Sequence, residues 1–546
     1  MEVLTTVASW RPGALALLVG LAPALGAVWG IRWFVTQDGP AHLYNAHILA
    51  SSLGPSSPFA AYYTVRWEAL PNWSGHLVTA AFVSLMPASV AGPAITTLTL
   101  VGFAASIVWL RARVTGPSGL SLASVLAVLL SLNFAWLLGF TSFMLGACLF
   151  PITLGIWWGG RERFGWSRAA AIAVLIVLGY LCHLVSLGLT ALGLIVLALA
   201  TPGPHRGIRF MRTLAALLPL VPLGLLYRSL SKAGGPMQPA WGHLTNPLSA
   251  AAWAVQVGHV DPITLTVGQV IPLTTAEHTA WFGLFKPMTW LLLAFTLMWY
   301  SAIRRRRVQP ARGPDERTGW TWLAALLLLG GIVGPDSLGA AHGEFLQQRV
   351  LLLGLVALVP IANLDASGWS GRLIAAALVL ALGVQSAIVW DYALTSRRTV
   401  GAVVAARDAV GTHQRVATLL VDMHPRFRSN PLLHADNLLG IGTGNIVWNN
   451  YETRSYYFPV QFRPEVVHPT SSDFEQIAYA EGPESANLRA VSWQRVVDEH
   501  LEEIDALVVW GSDPLLDAIN GQRFDTVYRQ DNVRVLRPAS GRGRKD

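Results

Sequence analysis

The sequence predicts an α-helical polytopic membrane protein of about eleven transmembrane helices with a small C-terminal α/β domain, and three observations carry that prediction. Of 546 residues, 53% are hydrophobic and 13% charged, with a mean hydropathy of +0.45; soluble domains carry about a quarter charged residues. The apolar residues fall in long runs near 13–35, 88–110, 119–138, 140–159, 168–182, 184–200, 213–230, 284–303, 318–334, 349–366 and 372–393, and a crossing takes about 20 residues. Composition then changes near residue 396: 17 of the 39 Lys and Arg and 19 of the 31 Asp and Glu lie beyond it. The expected domains are therefore 1–395 and 396–546.

The first run, flanked by Arg11, is longer than a signal-peptide core and has no small-residue cleavage site before the polar loop, so it reads as a retained span. Residues 36–87 form a loop in which Pro71 to Met86 is apolar but short, with Trp73 and His76 at one end. It reads as an amphipathic helix along the interface. The stretch 168–200 is too long for one crossing at about 1.5 Å per residue, so a turn near His183 divides it. Basic loops around Arg111 and Arg113, Arg161 to Arg168, Arg206 to Arg212, Arg304 to Arg317 and Arg372 alternate with basic-poor ones. With eleven spans they all fall on one side, which places the N-terminus in the cytoplasm and residues 36–87, 231–283, 335–348 and the C-terminal domain outside. The Arg304 run reads as a positive-inside anchor rather than a nucleic-acid patch.

Beyond 396, Val416 to Val421, Ala506 to Trp510, Thr526 to Tyr528 and Val533 to Leu536 read as strands, and Ala490 to Leu501 and Pro514 to Ile519 as helices. The GIGTG segment, Gly440 to Gly444, lacks the spacing and context of a dinucleotide loop. Gly541 to Asp546 reads as a disordered tail. Cys148 and Cys182 lie inside apolar runs, which gives neither a disulfide framework nor zinc-ligand spacing.

The chain is organised around Thr36 to Asn45, TQDGPAHLYN. If a helix starts after Pro40, His42 and Asn45 share a face and Asp38 sits at its mouth. Asp is a good N-cap, yet capping leaves the His and Asn unexplained. The other polar residues assigned to the outer side are Arg66, Glu68, Asn72, His76, His183, Lys232, Asp336, His342, Glu344, Gln347, Gln348 and Arg349. Arg349 stands at the mouth of a span, where a guanidinium either snorkels or forks onto a phosphate.

A first span, an external acidic motif, an interface helix, many further spans, LCHL at Leu181 to Leu184, a late Arg-bearing span entrance and an external C-terminal domain together resemble the GT-C superfamily. These membrane glycosyltransferases use polyprenyl-phosphate sugars and include protein O-mannosyltransferases and aminoarabinose transferases of lipid A. The resemblance covers most of residues 1–395. It implies a bacterial inner-membrane enzyme with a polyprenyl-phosphate-linked donor, an extracytoplasmic acceptor and contact with membrane lipid, and no nucleic acid. By that resemblance Asp38 is the general base or helps hold a divalent cation, Mg2+ or Mn2+, with His42 beside it in the catalytic motif. Arg349 contacts the lipid-linked phosphate, with Arg66 a second candidate. Asn45, Arg66, Glu68, Asn72, His76, His183, His342, Glu344 and Gln348 are expected to line the substrate site. Many members carry two adjacent acids, whereas Asp38 stands between Gln37 and Gly39; Glu68 or Glu344 would have to supply a second. Phosphate departs as an anion that Arg stabilises, and a carboxylate can deprotonate the acceptor hydroxyl, so one base and one cation suffice, and direct attack inverts the anomeric carbon. A transporter or lipid flippase would place charges near the midplane of its spans, where this sequence has almost none. A non-catalytic scaffold leaves the Asp38 cluster unexplained. NNYETRSYYFP, Asn449 to Pro459, suits either sugar stacking or a domain core, and Trp241, Trp253 and His259 are weaker candidates for substrate contact.

Overall fold

The computed structural model describes residues 2–52, 57–203, 205–241, 259–267, 287–308, 317–339, 342–421, 423, 426–479 and 483–539. Trp253, most of the 231–283 loop, the side chains of Arg304 to Arg307 and the tail Gly541 to Asp546 lie outside the described residues. The molecule divides into two compact units: residues 1–27, 69–75 and 96–391, and residues 28–68, 76–95 and 392–546. Most of residues 36–87 group with the C-terminal residues in the second unit.

The chain is mostly helical: α1 Glu2–Gly30, α2 Gly39–Ser52, α3 Trp73–Leu85, α4 Ala88–Thr115, α5 Leu120–Ser131, α6 Phe134–Leu138, α7 Thr141–Trp158, α8 Trp166–Cys182, α9 Leu184–Ala200, α10 Arg206–Ala216, α11 Leu220–Leu230, α12 Pro287–Val308, α13 Thr318–Val333, α14 Leu346–Leu358 and α15 Gly368–Ala405. Among the described residues, five helical stretches are long and apolar enough to cross a bilayer, Arg11–Gly30, Ala88–Thr115, Thr141–Trp158, Arg206–Gly234 and Gly368–Val410. Their outer faces remain apolar: Leu15, Leu18, Leu218, Val221, Leu225 and Val379 are all more than half exposed. A water-soluble surface does not carry such stripes, so the chain is a multi-pass membrane protein.

Local chemistry sets the breaks between helices in the first unit. Asn133 ends the α5 run because its side chain caps α6, accepting from Trp136 N at 2.9 Å. His183 has an extended backbone (φ −163°) and separates α8 from α9, where the sequence places a turn. At one end of this unit arginines hold loop carbonyls together. Arg111 Nη1 donates to Val359, Pro360 and Ala362 carbonyls at 3.0–3.1 Å just past α14, and Arg209 donates to Arg161 O at 3.1 Å. Cations there complement the carbonyl ends of helices. The opposite helix ends, at residues 72–75, 139–142, 183 and 345–349, meet through Asn72 N to Cys182 O (3.1 Å), Ser142 Oγ to Asn72 O (2.8 Å) and the Arg349–His183 bond described below.

The second unit is built on a five-stranded mixed sheet of order β3-β2-β5-β7-β6. Its strands are β2 Arg415–Leu420, β3 Ile446–Val447, β5 Ala506–Trp510, β6 Phe524–Gln530 and β7 Val533–Pro538. β2 runs parallel to both β3 and β5, and β7 is antiparallel to β5 and β6. The central strands ATLL and ALVVW are wholly buried, the continuous apolar pattern of a strand covered on both faces. Helices α16 Ser471–Tyr479, α17 Pro483–His500 and α18 Pro514–Arg523 accompany the sheet. Asp513 caps α18 by accepting from Leu515 N and Leu516 N, with Pro514 at the first helical position where no N–H is needed. Loop residues of the 36–87 segment share this core. Leu43, Tyr44, Ile48, Phe59 and Tyr63 pack in one cluster with Val416, Leu439, Trp448 and Val508. β1 Tyr63–Val65 pairs antiparallel with β4 Val460–Phe462. Gly440, in the segment the sequence separates from dinucleotide loops, lies so close to the Tyr44 ring that a Cβ there would be 2.3 Å from it.

Candidate active site

Asp38 lies at the mouth of α2. Its carbonyl accepts the first helical bond from His42 N at 3.0 Å, and Pro40 sits in the first turn. Its carboxylate is buried, 6% exposed. Tyr451 hydrogen-bonds to it, Gln37 Nε2 donates to Oδ1 at 3.4 Å, and His434 Nε2 lies 3.6 Å from Oδ1. His434 in turn stacks on Tyr451, with ring centroids 4.5 Å apart. Burial raises the Asp38 carboxyl to about 6, against the lowering influence of His42, Tyr451 and Gln37. Burial also pushes His434 down to about 3, so its ring is neutral at pH 7. The result is an acid that is ionised at neutral pH yet basic enough to accept a proton.

The second acid of this cluster is Glu452. Its fully buried carboxylate pairs with His42 Nδ1 through one oxygen and with His76 Nε2 at 2.6 Å through the other. Burial opposes its ionisation, but His76 and His42 outweigh it and hold the carboxyl down to about 2. The His42 and His76 rings meet edge to face at 5.4 Å. His42, His76 and Glu452 are a set of two imidazoles and a carboxylate that could hold a metal ion.

Other expected site residues have local duties. Asn45 exchanges amide bonds with Asn450 at 2.8 and 2.9 Å and also donates to Ala41 O. Both of its N–H groups are used in these bonds, which tie α2 to the residue before Tyr451. Arg66 pairs with Glu68, which is half exposed, and donates to Tyr456 O at 3.1 Å. Asn72 is a turn residue at φ 71°, a conformation Asn tolerates.

In the first unit, His183 and Arg349 come together. Arg349 Nη1 donates to His183 Nε2 at 2.7 Å, and the guanidinium lies over Phe140 at 4.5 Å and Phe143 at 5.3 Å. His183 Nδ1 also accepts from Val185 N at 3.1 Å. A neutral imidazole has one lone pair in its ring plane, so capping α9 and accepting from Arg349 are alternatives. Gln348 bonds His259 O at 3.0 Å, and His259 meets Asp336 at 3.1 Å. His342 contacts Gly235 O at 2.9 Å, Gln347 donates to Gly334 O at 2.7 Å, and Glu344 is exposed in the loop before α14. His342 and Gln347 thus shape that loop.

The cluster around Asp38 also holds His434, Tyr451 and Glu452, which the sequence reading did not single out. The one signal was the aromatic and polar segment Asn449 to Pro459, read as sugar platform or core. Tyr456 and Phe458 are buried, and Tyr451 and Glu452 of that segment lie in the cluster around Asp38 and His42.

Comparison of the sequence with protein-family models and with curated proteins gives no match. Several solved structures show a distant likeness to this chain. Two of them are the aminoarabinose transferase ArnT from Cupriavidus metallidurans, bound to undecaprenyl phosphate, and the oligosaccharyltransferase AglB from Archaeoglobus fulgidus, in complex with an inhibitory peptide and a dolichol-phosphate. ArnT is 13% identical with a TM-score of 0.49, over 97% of this chain and 98% of that one. AglB is 11% identical with a TM-score of 0.44, over 91% and 69%. Likenesses of this size leave the chemistry to be read from the chain's own side chains.

Proposed function

We propose that this protein is a membrane glycosyltransferase that moves a hexose or pentose from a polyprenyl phosphate to an extracytoplasmic glycan, lipid or protein. Asp38 is the general base and Arg349 the group that meets the phosphate. The observation that carries the reading is the state of Asp38: a buried carboxylate at a helix mouth, engaged by Tyr451 and facing a stacked His434. A simple cap spends its oxygens on the helix N–H groups.

In the reaction, the acceptor oxygen attacks the anomeric carbon while its proton passes to Asp38. The bond from that carbon to the phosphate oxygen breaks, its electron pair leaves with the polyprenyl phosphate, and a guanidinium stabilises the anion. Direct displacement inverts the anomeric centre. An outward position for this chemistry follows from the eleven spans read in the sequence and from where the arginines fall. In the first unit, Arg111, Arg161 and Arg209 gather at one set of helix ends and His183 and Arg349 at the other, consistent with basic ends in the cytoplasm.

The test is transfer of radiolabelled sugar from lipid-linked donors by purified protein. Asp38→Asn should express and fold but lose 10²-fold or more of the rate, on the order expected for a general base. Full activity in that variant would end the proposal.

A further inference from the structure

We infer that His42, His76 and Glu452 form a binding site for one transition-metal ion of the zinc class. Each residue offers one ligand atom, and the three atoms lie within 4.8 Å of one another. They come from α2, α3 and the turn Tyr451–Arg454, so three separate pieces of backbone aim their donors at one point. The side chains are 11%, 2% and 0% exposed. Two are closed off from solvent, and the His42 side is left for a water in a fourth position.

The donor set decides the metal. Two imidazole nitrogens and one carboxylate oxygen match the three-ligand zinc pattern, whereas Mg2+ is held mostly by oxygens and keeps several waters. Imidazole suits zinc and its neighbours, and carboxylate and water suit Mg2+ and Mn2+. The spacing is also workable. Bonds of about 2.0–2.2 Å in a tetrahedron hold ligand atoms roughly 3.3 Å apart, so the widest pair must close by less than one ångström per side chain. The close His42–Glu452 pair opens by a comparable amount.

Such an ion would clamp α2 and α3 to the turn that carries Tyr451. Asp38 is four residues before His42, and Tyr451 is adjacent to Glu452, so the clamp fixes both partners of the Asp38 hydrogen bond. Metal affinity is then part of folding free energy.

The experiment uses full-length protein without a polyhistidine tag, purified in detergent, with no sugar donor present, so its outcome is independent of glycosyl transfer. Elemental analysis should find one equivalent of zinc per chain. Chelation should remove it and lower the unfolding midpoint, and added Zn2+ should restore the midpoint where Mg2+ does not. Co2+ in its place should give the visible d–d bands of a low-coordinate site. His76→Asn and Glu452→Gln should each lose the ion, while His259→Asn keeps it. Absence of stoichiometric metal in the unsubstituted protein, an unfolding midpoint indifferent to chelation and zinc, or full metal retention in the His76→Asn, Glu452→Gln double variant would each overturn the assignment. The unsubstituted protein decides the matter if a variant does not fold.

Discussion

Asp38 should make the folded protein less stable, and its removal should reveal by how much. Burial raises its carboxyl from 3.8 to about 6, so the folded chain holds the proton more tightly than the unfolded chain. For a raised carboxyl the sign is unfavourable above neutrality. Stability is lower by the full amount at pH above 6, recovers as pH falls through 6, and the penalty is gone below 3.8. A shift of about two pKa units at 1.36 kcal/mol each gives about 3 kcal/mol. Asp38→Asn removes the charge and keeps the shape, so at pH 7.5 it should raise the unfolding free energy by up to that amount while abolishing transfer. The gap should close at pH 4. The assay is tryptophan-monitored unfolding of chelator-treated protein in detergent across pH 4–8, with the unsubstituted chain beside it. A variant less stable than the parent at pH 7.5, or a gap equally large at pH 4, would refute the reasoning.

Three further outcomes follow from the geometry. Arg349→Ala should raise the KM for the lipid donor 10–100-fold, as expected from losing a charge-assisted hydrogen bond of about 1.5–3 kcal/mol. Arg349→Lys should recover only part, because lysine lacks the fork; steady-state kinetics with varied donor checks both. Asn45→Ala leaves Asn450 buried with half its bonds and should cost about 1–3 kcal/mol, with the Asn45→Ala, Asn450→Ala double variant losing less than the sum of the singles, as read by denaturant unfolding. In a background lacking Cys148 and Cys182, an impermeant thiol reagent on intact cells should label Glu344→Cys and leave Arg163→Cys unlabelled, which checks the orientation.

What could be read in advance depended on how far each signal reached along the chain. The break at His183, the helix after Pro71 and the strand runs Val416 to Val421 and Ala506 to Trp510 are local, set by run length and β-branched content. The structure has α3 at Trp73–Leu85, β2 at Arg415–Leu420 and β5 at Ala506–Trp510. The pairing of His183 with Arg349 spans 166 residues and that of His42 with Glu452 spans 410. No periodicity announces either. The short strands β1 and β4 are stabilised by each other and by the Tyr63–Phe462 stack at 4.8 Å, and a three-residue strand has no pattern of its own. Asn45 and Arg66 stood out because polar groups near a membrane demand a reason; the partners they find, Asn450 and the Tyr456 carbonyl, are equally remote in the chain.

The 410 residues between His42 and Glu452 also impose an order of events during biosynthesis. At about 5–20 residues per second, the segment that carries Asp38 is made roughly 20–80 s before the turn that completes its surroundings. Until then Leu43, Tyr44, Ile48, Phe59 and Tyr63 have no core to enter. Nascent chains and prematurely terminated products therefore carry Asp38 in an unassembled segment, and its cluster with Tyr451 and Glu452 is completed only with the last quarter of the polypeptide.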